Sequence, residues 1–330
     1  MLSLCSSNIT YDEPILPDYE TQPEALFKNV CRNEILHFRS IWPLVLSPIK
    51  LHYPKMPSWA IDWTAFPVAR EKDDDTWLHI FHRSMACKIP KEIPTANIQF
   101  RDENLQAECL SVDRISACVY CNGYDAFTTS ETLCTMTNLI RKRYSITDQY
   151  PGDASMTYHE AWMTVLCADS LNKKHHEINI GPKLFARSDK SDFFWVVEAA
   201  RLSLGELRAE FHGINHSQSA FFKSSMVSMV YSYNAMFITE KGYLGIAKGH
   251  SFPGNFSTEQ LVAGDGIFIL PGGKVPFVLR KAEAPSRESA GNANKNWKVV
   301  GTCYLQGFMY GEHNAELFEE QGGYTAITII

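Results

Sequence analysis

The sequence predicts an α+β fold: an antiparallel β-barrel or sheet built from two sequence-separated halves, with a mostly helical insertion between them and an N-terminal helix. Three observations carry this. Short runs rich in Val, Ile, Leu and aromatic residues fill 84–120 and return over 234–312. The intervening 130–232 places apolar residues at helical intervals. The second strand-rich half has short Gly-containing connections, Glu240-Lys-Gly-Tyr243 and Pro271-Gly-Gly-Lys274, of the kind that join antiparallel neighbours. Neither half offers enough strands to protect its own edges, so the two are expected to pair into one β unit.

In order along the chain, residues 1–23 contain Pro14, Pro17 and Pro23 and read as an extended arm before a single α+β domain over 24–330. A helix starts at Pro23, whose fixed φ suits a first turn, and carries Leu26, Phe27, Val30, Ile35 and Phe38 until Pro43 and Pro48 end it. A rigid Trp-rich loop with Trp59 and Trp63 completes 24–80, with Asp73, Asp74 and Asp75 as a solvated turn. Strands are expected at 85–89, 97–101 and 106–120, and helices at 131–144, 159–169, 192–210 and 219–231. Further strands follow at 236–239, 243–247, 266–270, 276–279 and 297–304, with 282–296 as a flexible hairpin tip. There is no internal repeat.

Composition narrows the function classes. The 330 residues are 45% hydrophobic and 21% charged, enough apolar content to bury a sizeable core. Lys and Arg number 31 against 37 acidic residues, a net charge of -6, so no global positive field exists to hold nucleic acid or an anionic bilayer. No apolar run reaches membrane-span length and the first residues lack signal-peptide character, so a cytoplasmic protein is expected. Nine cysteines, irregularly spaced, read as reduced thiols.

Few motifs carry chemistry. Cys118-Val-Tyr-Cys121 has metal spacing but no second close pair, and it ends an apolar strand. His212 and His216 are four apart, yet Gly213 and Asn215 argue against a helix there, and the adjacent His175 and His176 do not easily share an ion with Glu177. Gly242, Gly245, Gly249, Gly264, Gly266, Gly272 and Gly273 read as turn glycines rather than a nucleotide fingerprint. No Gly-x-Ser-x-Gly, P-loop or His-Glu-x-x-His pattern occurs. No metal and no cofactor are therefore expected. Trp59, Asp62 and Trp63 admit two readings: an aromatic and carboxylate wall for a small ligand, or a loop clamp in which Asp62 accepts backbone N–H bonds.

Several segments resemble, in order, the region that follows the heterokaryon-incompatibility (HET) domain in fungal HET-family proteins. They include Met56-Pro-Ser-Trp-Ala-Ile-Asp-Trp63, Leu110-Ser-Val-Asp-Arg-Ile115 and Glu160-Ala-Trp-Met-Thr-Val-Leu-Cys-Ala-Asp169. The strongest are Phe237-Ile-Thr-Glu-Lys-Gly-Tyr-Leu-Gly245, Gly264-Asp-Gly-Ile-Phe-Ile-Leu-Pro-Gly-Gly-Lys-Val-Pro-Phe-Val-Leu-Arg280 and Val300-Gly-Thr-Cys-Tyr-Leu-Gln-Gly-Phe-Met-Tyr-Gly-Glu312. The chain starts about where the death-inducing domain would end, so the resemblance implies a fold more than an activity. Against the family pattern, Gln306 stands where His is common, Tyr310 where an acid is common, and His313 where a small residue is common.

These observations give two functional expectations. The first is a HET-like protein repurposed to bind a small organic molecule in an aromatic-lined pocket, as a cofactor-independent cyclase or isomerase of fungal secondary metabolism. Asp62, Tyr310, Glu312 and His313 would handle protons, and Trp59, Trp63 and Gln306 would bind substrate. The second is a non-catalytic recognition or regulatory module of heterokaryon incompatibility. Elemental analysis of the purified protein should find no stoichiometric zinc. One zinc per chain, lost on replacing Cys118 and Cys121 by Ser, would overturn the metal-free reading.

Overall fold

The computed structural model describes residues 20–38, 41–46, 50, 52–65, 96–120, 126–145, 147–166, 170–172, 185–187, 235–247, 260–282 and 296–330. Its centre is an eight-stranded, largely antiparallel sheet that joins strands from both ends of the chain. The first part supplies β1 (Ile98–Arg101) and β2 (Asn104–Tyr120). Helix α1 (Pro23–Phe38) and the short α2 (Pro43–Leu46) precede them. The middle contains α3 (Ala126–Arg141), the hairpin β3 (Gln149–Tyr150) and β4 (Asp153–Thr157), α4 (Tyr158–Leu166), and a second hairpin of β5 (Ser170–Asn172) and β6 (Phe185–Arg187). Strands β7 (Ala235–Thr239), β8 (Leu244–Ala247), β9 (Gly266–Ile269), β10 (Phe277–Lys281) and β11 (Asn296–Leu305) return to the sheet. They are followed by α5 (Asn314–Glu320) and β12 (Thr325–Ile329).

β2 is 17 residues long and organises the rest. β1 and β12 both pair with its first half, so they take opposite edges. Farther along, Arg114 accepts the Glu240 N–H while the next residue, Ile115, exchanges bonds with Gly264 and Asp265, placing β7 and β9 on opposite edges as well. β8 joins β7 to β11, and β10 joins β11 to β9, so the pairing path β2–β7–β8–β11–β10–β9 returns to β2. β12 fills the remaining gap, antiparallel to β2 and parallel to the start of β11.

Alternate residues of these strands separate three apolar clusters. One face contributes Leu110, Val112, Phe237, Ile267, Val278 and Val300 to an inner cluster. The opposite face of β7 and β8, with Met236, Ile238, Leu244 and Ile246, is covered by Met136 and Ile140 of α3 and Trp162 and Val165 of α4. The opposite face of β9, β10 and the first half of β2 is covered by Cys31 and Ile35 of α1, Leu44 of α2, and the Trp59–Ile61 loop. Helix α4 is opened by a capping box: the Thr157 N–H donates to Glu160 Oε2 at 2.7 Å, and the Glu160 N–H to Thr157 Oγ1 at 3.3 Å.

The strand expectations at 97–101, 106–120 and 236–304 coincide with β1, β2 and β7 to β11 to within two residues, while the helices expected at 131–144 and 159–169 overlap α3 and α4 with ends displaced by up to five residues. The segment between them is less purely helical than its apolar spacing predicts, because Pro151-Gly152 turns the chain into the β3–β4 hairpin. α5 and β12 lie beyond the last expected strand. The arm up to residue 19, the acidic turn at 73–75, the strand at 85–89, the helices at 192–210 and 219–231, the hairpin tip at 283–295, and Cys121, His175, His176, Glu177, His212, His216 and Gly249 lie outside the described residues.

Where β9 meets β2, Asp265 is 1% exposed and forms a two-pronged ion pair with Arg280 of β10, with Oδ1 to Nε and Oδ2 to Nη2 both at 2.8 Å. Oδ2 also accepts the Val262 N–H at 2.9 Å. Removing one member leaves the other charge without its partner. Asp265→Ala should therefore lower stability by about 3 kcal/mol, the low end for a broken buried pair because Arg280 keeps partial solvent contact. Urea unfolding would measure it, and a loss below about 1 kcal/mol would show the pair to be dispensable.

Candidate functional site

The seven residues singled out from sequence fall into two separate groups. Trp59, Asp62 and Trp63 belong to the loop that packs against α1, α2 and the first half of β2. Trp59 is fully buried, donates its indole N–H to the Glu103 carbonyl at 3.0 Å, and meets Phe100 edge-on. Trp63 packs edge-on against Trp42. Asp62 is fully buried and serves as a clamp: Oδ2 accepts the His52 and Tyr53 N–H groups at 2.9 and 3.2 Å, and Oδ1 accepts the Thr64 N–H at 3.0 Å and the Thr64 hydroxyl. Of the two sequence readings for this loop, the geometry matches the clamp.

Beneath that loop lie two further buried groups. Lys50 donates to the carbonyls of Pro57, at 3.2 Å, and Ala60. Burial lowers its pKa to about 8, against the opposing pull of Cys31 and Asp62. The Cys31 thiol accepts the Ile61 N–H at 3.3 Å, and burial raises its pKa to about 11. A thiol so shifted stays protonated at neutral pH and is not a nucleophile. Cys31, Cys109, Cys118 and Cys303 are all free thiols.

The second group gathers at the end of β11. Gln306 is 7% exposed: its Oε1 accepts the Tyr304 hydroxyl and its Nε2 faces the Met156 sulfur at 3.5 Å. Its carbonyl accepts the Tyr150 hydroxyl at 3.1 Å, and that hydroxyl accepts the Leu244 N–H at 2.9 Å. Glu312 is exposed and accepts the Tyr310 N–H at 2.8 Å. Both ring nitrogens of His313 are engaged, Nδ1 with Glu316 at 2.7 Å and Nε2 with the Gly152 carbonyl at 3.0 Å. Gly152 and Gly307 meet backbone to backbone: a Cβ on Gly307, whose φ is +89°, would lie 2.3 Å from the Gly152 oxygen. These contacts dock the β3–β4 turn on the sheet.

Neither group lines the cavity that the structure presents. A polar cleft of about 570 Å3 lies on the face formed by β1, β2, β12 and the first residue of β11. Register builds its floor. Gln99 pairs with Gln106, Gln106 with Thr328, and Thr328 with Asn296, a row of neutral polar side chains across four strands. Arg101 and Asn104 flank the row on one side, Asn97 and Glu108 on the other. Gln99 Nε2 donates to Gln106 Oε1 at 3.2 Å, and Glu108 Oε2 accepts the Asn97 N–H at 2.8 Å. Among the described residues no aromatic ring lines the cleft, and no cluster of three His, Cys, Asp or Glu side chains is placed to hold a metal ion. Sequence reasoning missed this site because its residues read as the solvent side of ordinary strands. The available signal was carboxamides alternating with apolar residues over 96–107.

The chain matches no family model, no curated protein sequence and no solved structure.

Burial, the largest influence on His313, lowers its pKa, but the hydrogen bonds to Glu316 and Gly152 and the charges of Glu316 and Glu312 outweigh it, and the net shift is upward. A raised folded-state pKa means that protonated His313 stabilises the fold at low pH and that this contribution fades as pH rises through the shifted value. His313→Gln should therefore lower the thermal midpoint more at about pH 5.5 than at about pH 8.5. Scanning calorimetry at both pH values checks this, and a pH-independent difference would remove His313 as the titrating group.

Proposed function

We propose that this chain is a small-molecule-binding protein, related to the C-terminal region of HET-family proteins, whose ligand occupies the polar cleft over β1, β2, β12 and Asn296. The cleft itself carries the reading. Its volume falls within the range of roughly 300 to 1,000 Å3 common to ligand sites. Its floor is set by strand register rather than by loops, so it is formed before a ligand arrives. We read the closed pairing path as a small barrel and place the protein in the cytoplasm.

Binding is favoured over turnover. Asp62 is saturated by backbone and hydroxyl donors, and both His313 nitrogens are held within the protein. A cofactor-independent cyclase or isomerase would need a proton-handling group facing its substrate, and in the cleft the Glu108 carboxylate is already engaged by the Asn97 N–H, so that activity ranks second. A recognition module acting through protein contacts would need an exposed apolar patch. Among the described residues the large apolar side chains left exposed are Leu36 and Val262, which sit on different elements.

A metabolite library screened by ligand-observed NMR tests the proposal. Ligands should be found, and Gln106→Trp, which fills the cleft, should abolish their binding while His313→Gln leaves it unchanged. Binding that survives Gln106→Trp, or an entire library that fails to bind, would overturn it.

A further inference from the structure

We propose that the ligand of this cleft is a neutral, polyhydroxylated molecule of the saccharide class, an inference that rests on the cleft being a binding site. The chemistry of the floor selects it. Gln99, Gln106, Asn104, Asn97 and Asn296 present carboxamides and Thr328 a hydroxyl, all uncharged. A carboxamide offers a donor and an acceptor side by side, and a hydroxyl is both donor and acceptor, so a row of amides matches a row of hydroxyls. The Gln99 to Gln106 hydrogen bond orients that row: with Gln106 Oε1 occupied by its neighbour, the Gln106 NH2 and the Gln99 carbonyl oxygen face outward as a donor and acceptor pair. The side-chain amides of Asn97, Asn104 and Asn296 add three more donor and acceptor pairs to the lining.

The other ligand classes fit less well. An anion as charged as a phosphate ester calls for convergent cations or an array of backbone N–H groups, whereas among the described residues Arg101 is the one cation lining the cleft and Asp102 stands beside it. A cation would meet Glu108, but Arg101 on the same face opposes it, and Glu108 already accepts the Asn97 N–H. A terpenoid or polyketide skeleton would need an apolar wall, and Ala107, Ala326 and Ile327 supply the apolar residues of the lining. With no ring among the described lining residues to stack a sugar face, affinity comes from hydrogen bonds made against competing water, so it should be modest and nearly independent of salt.

Isothermal titration of the full chain with neutral trisaccharides of glucose and of N-acetylglucosamine, a hexose phosphate and an apolar terpene alcohol separates the possibilities. A neutral trisaccharide should bind, with affinity changing less than about twofold between low and high salt. Gln106→Ala and Asn104→Ala should each weaken it by about five- to tenfold. Circular dichroism should show both variants folded, since these side chains are not in the core. Binding of the phosphate or the terpene alcohol, lost in the same variants, would overturn the ligand class and leave the cleft as a site. Saccharide binding that both variants retain would place the ligand elsewhere and overturn the site. No binding by any probe would overturn the saccharide assignment, with the Gln106→Trp library screen then deciding the site alone.

Discussion

Everything in this fold follows from one requirement: a 17-residue strand, β2, must have its backbone groups hydrogen-bonded along both edges. No partner strand is long enough to cover an edge alone. Each edge is therefore served by two strands in succession, β1 then β9 on one side and β12 then β7 on the other. β1 is local, but the other three come from 115 or more residues farther along the chain, as the Ala235–Tyr120 pair shows. Such pairing is entropically demanding and slow, because distant loops must close before any ladder bond rewards them. It also explains why the N-terminal and C-terminal strand groups do not separate into two domains.

Polar side chains sit near the places where this handover between partners would leave the backbone unsatisfied. Asp265 stands just before β9, opposite Ile115 of β2, and its carboxylate takes the Val262 N–H while holding Arg280 of β10. Tyr150 does the same at the end of the β8–β11 ladder, where its single hydroxyl accepts from the Leu244 N–H and donates to the Gln306 carbonyl. Gln321 extends the edge covered by β12: its side-chain amide bonds both the N–H and the carbonyl of Ser111, as a strand residue would. Tyr150 and Gln321 replace ladder bonds and Asp265 closes the turn before β9, and an unsatisfied group in place of any of them would cost about 1–3 kcal/mol.

What could be read from the sequence divides along the same line. Strands β7 to β11 announce themselves through apolar runs near Gly-containing connections, and α1 through Pro23 and the spacing of Leu26, Phe27, Val30, Ile35 and Phe38. β12 was hidden because Thr325-Ala-Ile-Thr-Ile329 is short and its partners, β2 and the first residues of β11, are not its sequence neighbours. Asp62 was legible as a clamp, since a carboxylate between two indoles in a Pro-rich loop has backbone donors close at hand. The grouping of Trp59 and Trp63 with Gln306 and His313 was not, because whether two motifs 240 residues apart share a pocket depends on which face of the sheet each covers. They cover different ones: the tryptophans pack under α1, and Tyr310 packs with α3 and α4.

The same face logic explains why the cleft opens where it does. β7, β8 and β9 are buried at every position, so one face of each meets the inner cluster and the other a covering layer. Six strands lie on the pairing path that returns to β2, and the face they share is occupied by residues such as Phe237, Ile267 and Val300. On β2, however, the face that contributes Leu110 and Val112 to the inner cluster continues toward the N-terminal end as Glu108, Gln106 and Asn104, past the point where the circuit closes. There the opposite face is still covered by α1 and the tryptophan loop, while among the described residues no element covers this one. The inner face thus runs out of the core and becomes polar, and a concave surface with a rigid, apolar backing and a hydrophilic floor is the direct result.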